Sequence, residues 1–175
     1  RRAFLDRLLE TPSPSGFEVR GQRAWIDYVD DFADEVWTDD YGNAVAVHEG
    51  GGPELALAGH ADEVGFIVRR IDDDGFVRIA PIGGADRTVS KGQHVTIHGD
   101  AAVAGVVGQT AIHLREEGEE EYDDVGEQYV DVGATDREAA AELVSVGDPV
   151  TFSTTVEELH GPRLAARGLD NRIGI

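Results

Sequence analysis

The stretch of this 175-residue chain best suited to chemistry is Gly59-His60-Ala61-Asp62, directly after the apolar run Leu55-Ala56-Leu57-Ala58. In an extended backbone, residues two apart project to the same side, so His60 and Asp62 share a face that Ala61 leaves clear. The pair suits a metal site. An imidazole that ligates through one ring nitrogen commonly gives its other N–H to a carboxylate that fixes its orientation. The C-terminal end of a strand is also where α/β proteins gather ligands. The same spacing equally describes a surface hydrogen bond. A second polar group, Leu169-Asp170-Asn171-Arg172, stands between an Ala-rich strand and the start of a helix. Asp170 there is either a helix cap or a carboxylate that bridges metals.

Other chemistries are excluded by residue type or spacing. With no cysteine there is no disulfide framework, thiolate zinc site, cysteine nucleophile or iron–sulfur cluster. Any metal must sit on His and carboxylate. His94 and His98 have the spacing of helical zinc ligands, but Val95-Thr96-Ile97 between them favours a strand, where that spacing spans about 13 Å. They read as structural or surface residues. The turn Asp72-Asp73-Asp74-Gly75 lacks the bidentate Glu of a calcium loop, Gly50-Gly51-Gly52-Pro53 is no phosphate loop, and neither a nucleophile elbow nor a Rossmann fingerprint is present.

The charge balance narrows the partners. Asp and Glu number 35 against 15 Lys and Arg, a net charge of -20. Such a surface repels phosphate backbones, which argues against nucleic-acid and anionic-membrane binding. Lys91 is the only lysine, and the acids are spread along the chain. That bias resembles proteins of salt-loving archaea, whose cytoplasm screens charge within about 3 Å at 1 M salt. No apolar run approaches the roughly 18 residues that span a bilayer, and the start RRAFLDRLLE lacks the apolar core of a signal peptide. The expectation is a soluble cytoplasmic protein. Because methionine is absent and the LDNRIGI end carries no helix stop signal, a chain cut from a longer one at both ends is expected.

The elements that must position these residues follow from periodicity. Phe4, Leu5, Leu8 and Leu9 lie at helical spacing, and Pro12 and Pro14 forbid continuation. Ser15-Gly16-Phe17-Glu18 fits a capping box opening a second helix with Trp25, Ile26, Val29 and Phe32 on its apolar stripe. The period then changes to two, predicting strands over 36–38, 43–48 and 54–59. From Val64 the chain reads as β for about ninety residues. Hairpins are predicted across Asp72-Asp73-Asp74-Gly75 and Gly99-Asp100, with one helix opened by a capping box at Thr135-Asp136-Arg137-Glu138 and running to Val144. Strands at 149–154 and 163–166 complete the series, and the acidic run 116–124 reads as a solvated loop.

Taken in order, several segments resemble the tetrahedral (glutamyl-type) aminopeptidases, co-catalytic metallopeptidases often labelled endoglucanase or cellulase M. They are Thr11-Pro12-Ser13-Pro14-Ser15-Gly16, Gly59-His60-Ala61-Asp62-Glu63-Val64-Gly65-Phe66, Pro81-Ile82-Gly83-Gly84, Ile112-His113-Leu114, Tyr129-Val130-Asp131-Val132-Gly133-Ala134, Val146-Gly147-Asp148-Pro149-Val150 and Leu169-Asp170-Asn171-Arg172. The resemblance implies an α/β fold: an incomplete aminopeptidase-like α/β/α catalytic domain over 1–67, a β-barrel-like oligomerisation insertion over 68–160, and the catalytic domain resuming over 161–175. It implies His60 as terminal ligand of one metal, Asp62 as the catalytic-site carboxylate orienting it, and Asp170 as the bridge between two divalent ions, zinc or cobalt. It also implies peptide substrates trimmed from a free N-terminus, and a homo-oligomer building from dimers to a dodecamer.

The family's general-base Glu, its remaining carboxylate ligands and a second His follow the Asp170 motif, beyond Ile175. The 175 residues alone are therefore expected to be inert. Two other functions compete: a glycosidase, against which 7% aromatic residues argue, and a non-catalytic assembly module.

Overall fold

The computed structural model describes residues 1–109 and 128–175. The Ile112-His113-Leu114 motif and the acidic run 116–124 lie outside the described residues. In chain order the elements are α1 (Arg2–Glu10), α2 (Val19–Val29), β1 (Glu35–Thr38), β2 (Ala44–Val47), β3 (Gly65–Ile71), β4 (Val77–Ile82), α3 (Arg87–Ser90), β5 (His94–His98), β6 (Ala102–Gly108), β7 (Tyr129–Asp131), α4 (Arg137–Ala141), β8 (Pro149–Phe152), β9 (Glu157–Leu159), β10 (Arg163–Ala165) and α5 (Leu169–Arg172). The fold is mixed α/β. It divides into two compact units, Arg1–Glu63 with Thr154–Ile175, and Val64–Ser153.

In the discontinuous unit, α1 buries Leu8 and Leu9, and α2 buries Ala24 and Val29. Phe4 stacks on Tyr28 at 3.7 Å between ring centres, Tyr28 meets Phe32 edge-on, and Arg7 pairs with Asp27 at 2.9 Å. Phe32, expected on the α2 stripe, lies past the helix end. Strands β1 and β2 form an antiparallel hairpin, Glu35 opposite Val47 through Thr38 opposite Ala44. Its turn is held by Asp39, whose Oδ1 accepts from the amides of Tyr41 and Asn43. β9, which the sequence pattern did not predict, pairs antiparallel with β10.

Two local expectations are corrected here. The run 54–59 pairs with no described strand, and Leu55 and Leu57 stand 80% and 85% exposed. Alternating apolar residues supply a face but not the neighbouring backbone that a ladder requires. Ser15 and Glu18 form no capping box. Residue 18 is itself the N-cap of α2 and makes no side-chain cap bond. Its carboxylate accepts from the Gly16 amide at 2.6 Å, and the Ser15 hydroxyl donates to Asp62. A carboxylate is a stronger acceptor for that hydroxyl than any neutral group in the turn.

The second unit is a closed six-stranded barrel, in the order β3-β4-β7-β6-β5-β8, with all pairings antiparallel. Alternation places Val77 and Ile79 of β4, Val95 and Ile97 of β5, and Val130 and Val150 in a fully buried interior with Phe66. Both predicted hairpins form, β3–β4 and β5–β6. At the first, Gly75 takes φ +82°, and a Cβ there would press on the Ala134 and Asp136 carbonyls. Gly105 makes room for Val130 in the interior. A bulge shifts the β3–β4 register between Val68 and Arg70. Helix α4 opens at Asp136 and not at Thr135: the Asp136 Oδ1 accepts from the Ala139 amide at 2.9 Å. The shorter carboxylate side chain holds the cap while Thr135 donates to it. α4 ends at Ala141, and Ala140 and Val144 seal the core. No helix among the described residues is long and apolar enough to cross a membrane.

Candidate metal centre

His60 lies between two carboxylates. Its Nδ1 is 2.7 Å from Asp62 Oδ1, and its Nε2 is 3.2 Å from Asp170 Oδ1, across 110 residues of sequence. Asp62 is doubly engaged, because its second oxygen accepts from the Ser15 hydroxyl. That hydrogen bond lowers the Asp62 pKa below the ordinary carboxylate value, outweighing partial burial, and His60 adds to the effect. The same Asp62 bond raises the His60 pKa against desolvation, with a further contribution from Asp170.

An ionised Asp62 accepts a proton donated from Nδ1, which leaves the neutral imidazole a lone pair on Nε2. That lone pair faces a second acceptor, Asp170 Oδ1. Two acceptors at this distance require a positive charge between them, either a proton on His60 or a cation. The donor set fits a divalent metal. Ligand atoms at 2.0–2.1 Å from a tetrahedral zinc ion lie about 3.3 Å from each other, close to the 3.2 Å between Nε2 and Oδ1. Asp170 is 95% exposed and His60 53% exposed on their side chains, so the outer side of the pair is open. Among the described residues no group of three or more His, Asp or Glu is gathered tightly enough to enclose an ion. The pair supplies two donors and no more.

All three residues singled out in the sequence thus come together, and the scaffold that joins them rests on residues to which the pattern assigned no role. Pro12 and Pro14 end α1 and oblige its last carbonyls to find partners outside the helix. The Arg7 carbonyl accepts from the amide and hydroxyl of Thr11. Those of Leu8 and Leu9 accept from Nη1 of Arg172 at 3.0 and 3.3 Å, and that of Glu10 accepts from Arg167. Arg172 is wholly buried; its Nε donates to the Ala61 carbonyl at 2.8 Å and its Nη2 to Glu63 Oε1 at 3.1 Å. Glu63 also accepts from the Ser13 amide at 2.9 Å, and Arg167 lies 3.3 Å from its other oxygen. The Glu63 amide also donates to the Ser13 carbonyl and the Glu63 carbonyl accepts from the Ser15 amide, which ties the Thr11-Pro12-Ser13-Pro14-Ser15 segment alongside Asp62. Gly21 of α2 admits this segment, because a Cβ there would strike the Ser13 side chain.

The Asp170–Asn171 peptide is cis, and Gly168 before it has φ +68°. Beside His60 a cleft of about 590 Å³ is bordered by Gln22, Arg23 and Ile26 of α2 and by Tyr41 and Asn43 of the β1–β2 turn. Three other residues weighed in the sequence are engaged elsewhere. Asp72 accepts from Arg70 and Arg78, Asp73 pairs with Arg137, and His98 Nε2 lies 2.9 Å from the Thr151 hydroxyl.

Residues 42–175 match the family of M42 glutamyl aminopeptidases. The chain belongs to that family. Among M42 relatives it is 35% identical over 178 residues to the lysyl aminopeptidase of Pyrococcus furiosus, covering 97% of this chain and 51% of that one. Its structure is similar to that of a TET aminopeptidase from a marine sediment archaeon of the Thaumarchaeota, with TM-score 0.93, 31% identity, and coverage of 99% and 50%. It is also similar to the Pyrococcus horikoshii TET1 peptidase, described as assembling into a tetrahedron or a large octahedral shell, with TM-score 0.86, 30% identity, and coverage of 99% and 52%. The chain spans about half the length of the M42 relatives it matches.

Proposed function

We propose that the protein carrying this chain is a metal-dependent aminopeptidase that removes residues from the free N-terminus of peptides. The observation that carries this reading is the approach of His60 Nε2 to Asp170 Oδ1, with Asp62 holding the opposite ring nitrogen. His60 would be the terminal ligand of one divalent ion and Asp170 the bridge to a second, zinc or cobalt. Bound divalent ions supply Lewis acidity toward a carbonyl and lower the pKa of a water.

The chain's own residues do the rest. Ser15 holds Asp62 ionised and in place; Asp62 holds the imidazole in the tautomer that presents a lone pair at Nε2. Exposed Asp170 keeps carboxylate oxygens toward the open side, where a second ion and a substrate have access. The neighbouring cleft has the size of a small-ligand site. Among the described residues the site offers two donors, so turnover requires further ligands and the isolated chain is inert.

The barrel unit is proposed as the assembly element of a homo-oligomer, from dimer to dodecamer, a reading supported by the shells described for the TET1 peptidase. The dispersed acids and the preference for Arg over Lys support an origin in a halophilic archaeon. The test of the activity is hydrolysis of one peptide with a free or an acetylated N-terminus, with and without EDTA. Cleavage of the free form alone, lost with EDTA and restored by cobalt or zinc, is the expected result; cleavage of both forms, or indifference to EDTA, would refute it.

A further inference from the structure

We infer that Arg172 is a positioning residue, whose guanidinium sets the spacing between His60 and Asp170. This rests on the reading of those two residues as metal ligands. The argument starts from where its donors go. Nε donates to the Ala61 carbonyl, which lies in the backbone between His60 and Asp62. Arg172 itself is two residues past Asp170. One side chain therefore links the backbones of both ligand-bearing segments, which are otherwise more than a hundred residues apart.

The clamp is anchored on two further sides. Nη1 is fixed by the carbonyls of Leu8, Leu9 and Thr11, and Nη2 by the buried carboxylate of Glu63. Glu63 follows Asp62 directly, so the His60–Asp62 segment is gripped from its backbone and from its flank. With three nitrogens aimed at different acceptors, the planar fork cannot be replaced by the single ammonium of lysine. The site is fully buried, so water does not substitute for a lost donor. A role confined to completing α1 would need only the bonds to Leu8 and Leu9; the bond to Ala61 contributes nothing to that helix.

The experiment is a zinc titration of the isotope-labelled protein that carries this chain, read by NMR at the His60 ring nitrogens. Arg172→Lys is compared with Val29→Ala, which loosens the buried face of α2 without touching the clamp. Arg172→Lys is expected to weaken zinc binding about tenfold, as loss of an outer partner of a metal ligand does, and Val29→Ala less than twofold. Equal zinc affinity in Arg172→Lys and the parent, or equal weakening in both variants, overturns the clamp while leaving the metal reading intact. Should Arg172→Lys not fold, the parent decides: a shift of the Arg172 Nε–H resonance on zinc addition supports the clamp, and a stationary one overturns it. A parent protein whose His60 ignores zinc overturns the metal reading, and the role of Arg172 with it.

Discussion

Ser15 donates its hydroxyl hydrogen to one oxygen of Asp62 while the other oxygen faces Nδ1 of His60. Ser15→Ala removes a hydrogen bond to a partly buried carboxylate, which should cost about 1–2 kcal/mol in urea unfolding. Ser15→Thr, which keeps the hydroxyl, should recover most of it.

His60→Ala leaves the packing of its unit untouched, because the imidazole is half exposed and its neighbours are polar. Thermal melting should be nearly unchanged, whereas metal-dependent cleavage by the protein carrying this chain should vanish. Retained activity at saturating zinc or cobalt would contradict the ligand role.

Acid stability of the barrel should depend on Asp72. Partial burial alone would raise its pKa, but hydrogen bonds from Arg78 and Arg70 outweigh burial and lower it. A carboxyl depressed in the folded state adds stability above its unfolded pKa of about 3.9 and loses it as pH falls through the folded value. Urea midpoints of the parent and Asp72→Asn should therefore differ at pH 7, with the parent more stable, and converge as pH falls through the depressed folded value. A difference independent of pH would show that charge is not involved.

Ile79 is fully buried on β4. Its truncation to Ala should destabilise the barrel by about 2–5 kcal/mol, from lost burial and the cavity left behind. Chemical denaturation followed by near-ultraviolet circular dichroism provides the measurement.

With a net charge of -20, self-repulsion should weaken the fold in dilute buffer. The melting temperature should rise between low salt and about 3 M KCl, where screening is nearly complete. An unchanged melting temperature would count against the halophilic reading.

Much of this was legible in local pattern. The β3–β4 hairpin follows from Asp72-Asp73-Asp74-Gly75 because Gly75 takes the positive φ that the turn demands. His60 and Asp62 were recognisable because their relationship is contained in three residues. Asp170 was legible from its own segment only as a helix cap or a metal bridge, and only the family resemblance paired it with His60, since their approach spans 110 residues. The capping box at Ser15 failed for the reverse reason: a local rule lost to a distant carboxylate. Glu63, Arg167 and Arg172 gave no periodic signal at all, although Pro12 and Pro14 already implied that the α1 carbonyls needed donors from elsewhere.

The end of α1 also has a bearing on biosynthesis. The Leu8, Leu9 and Glu10 carbonyls accept hydrogen bonds from Arg167 and Arg172, more than 150 residues downstream. A ribosome has therefore delivered every strand of the barrel, a contiguous stretch from Val64 to Ser153, before either arginine exists. Helix α1, made before the barrel, is therefore completed only after it, and until then its open end depends on water.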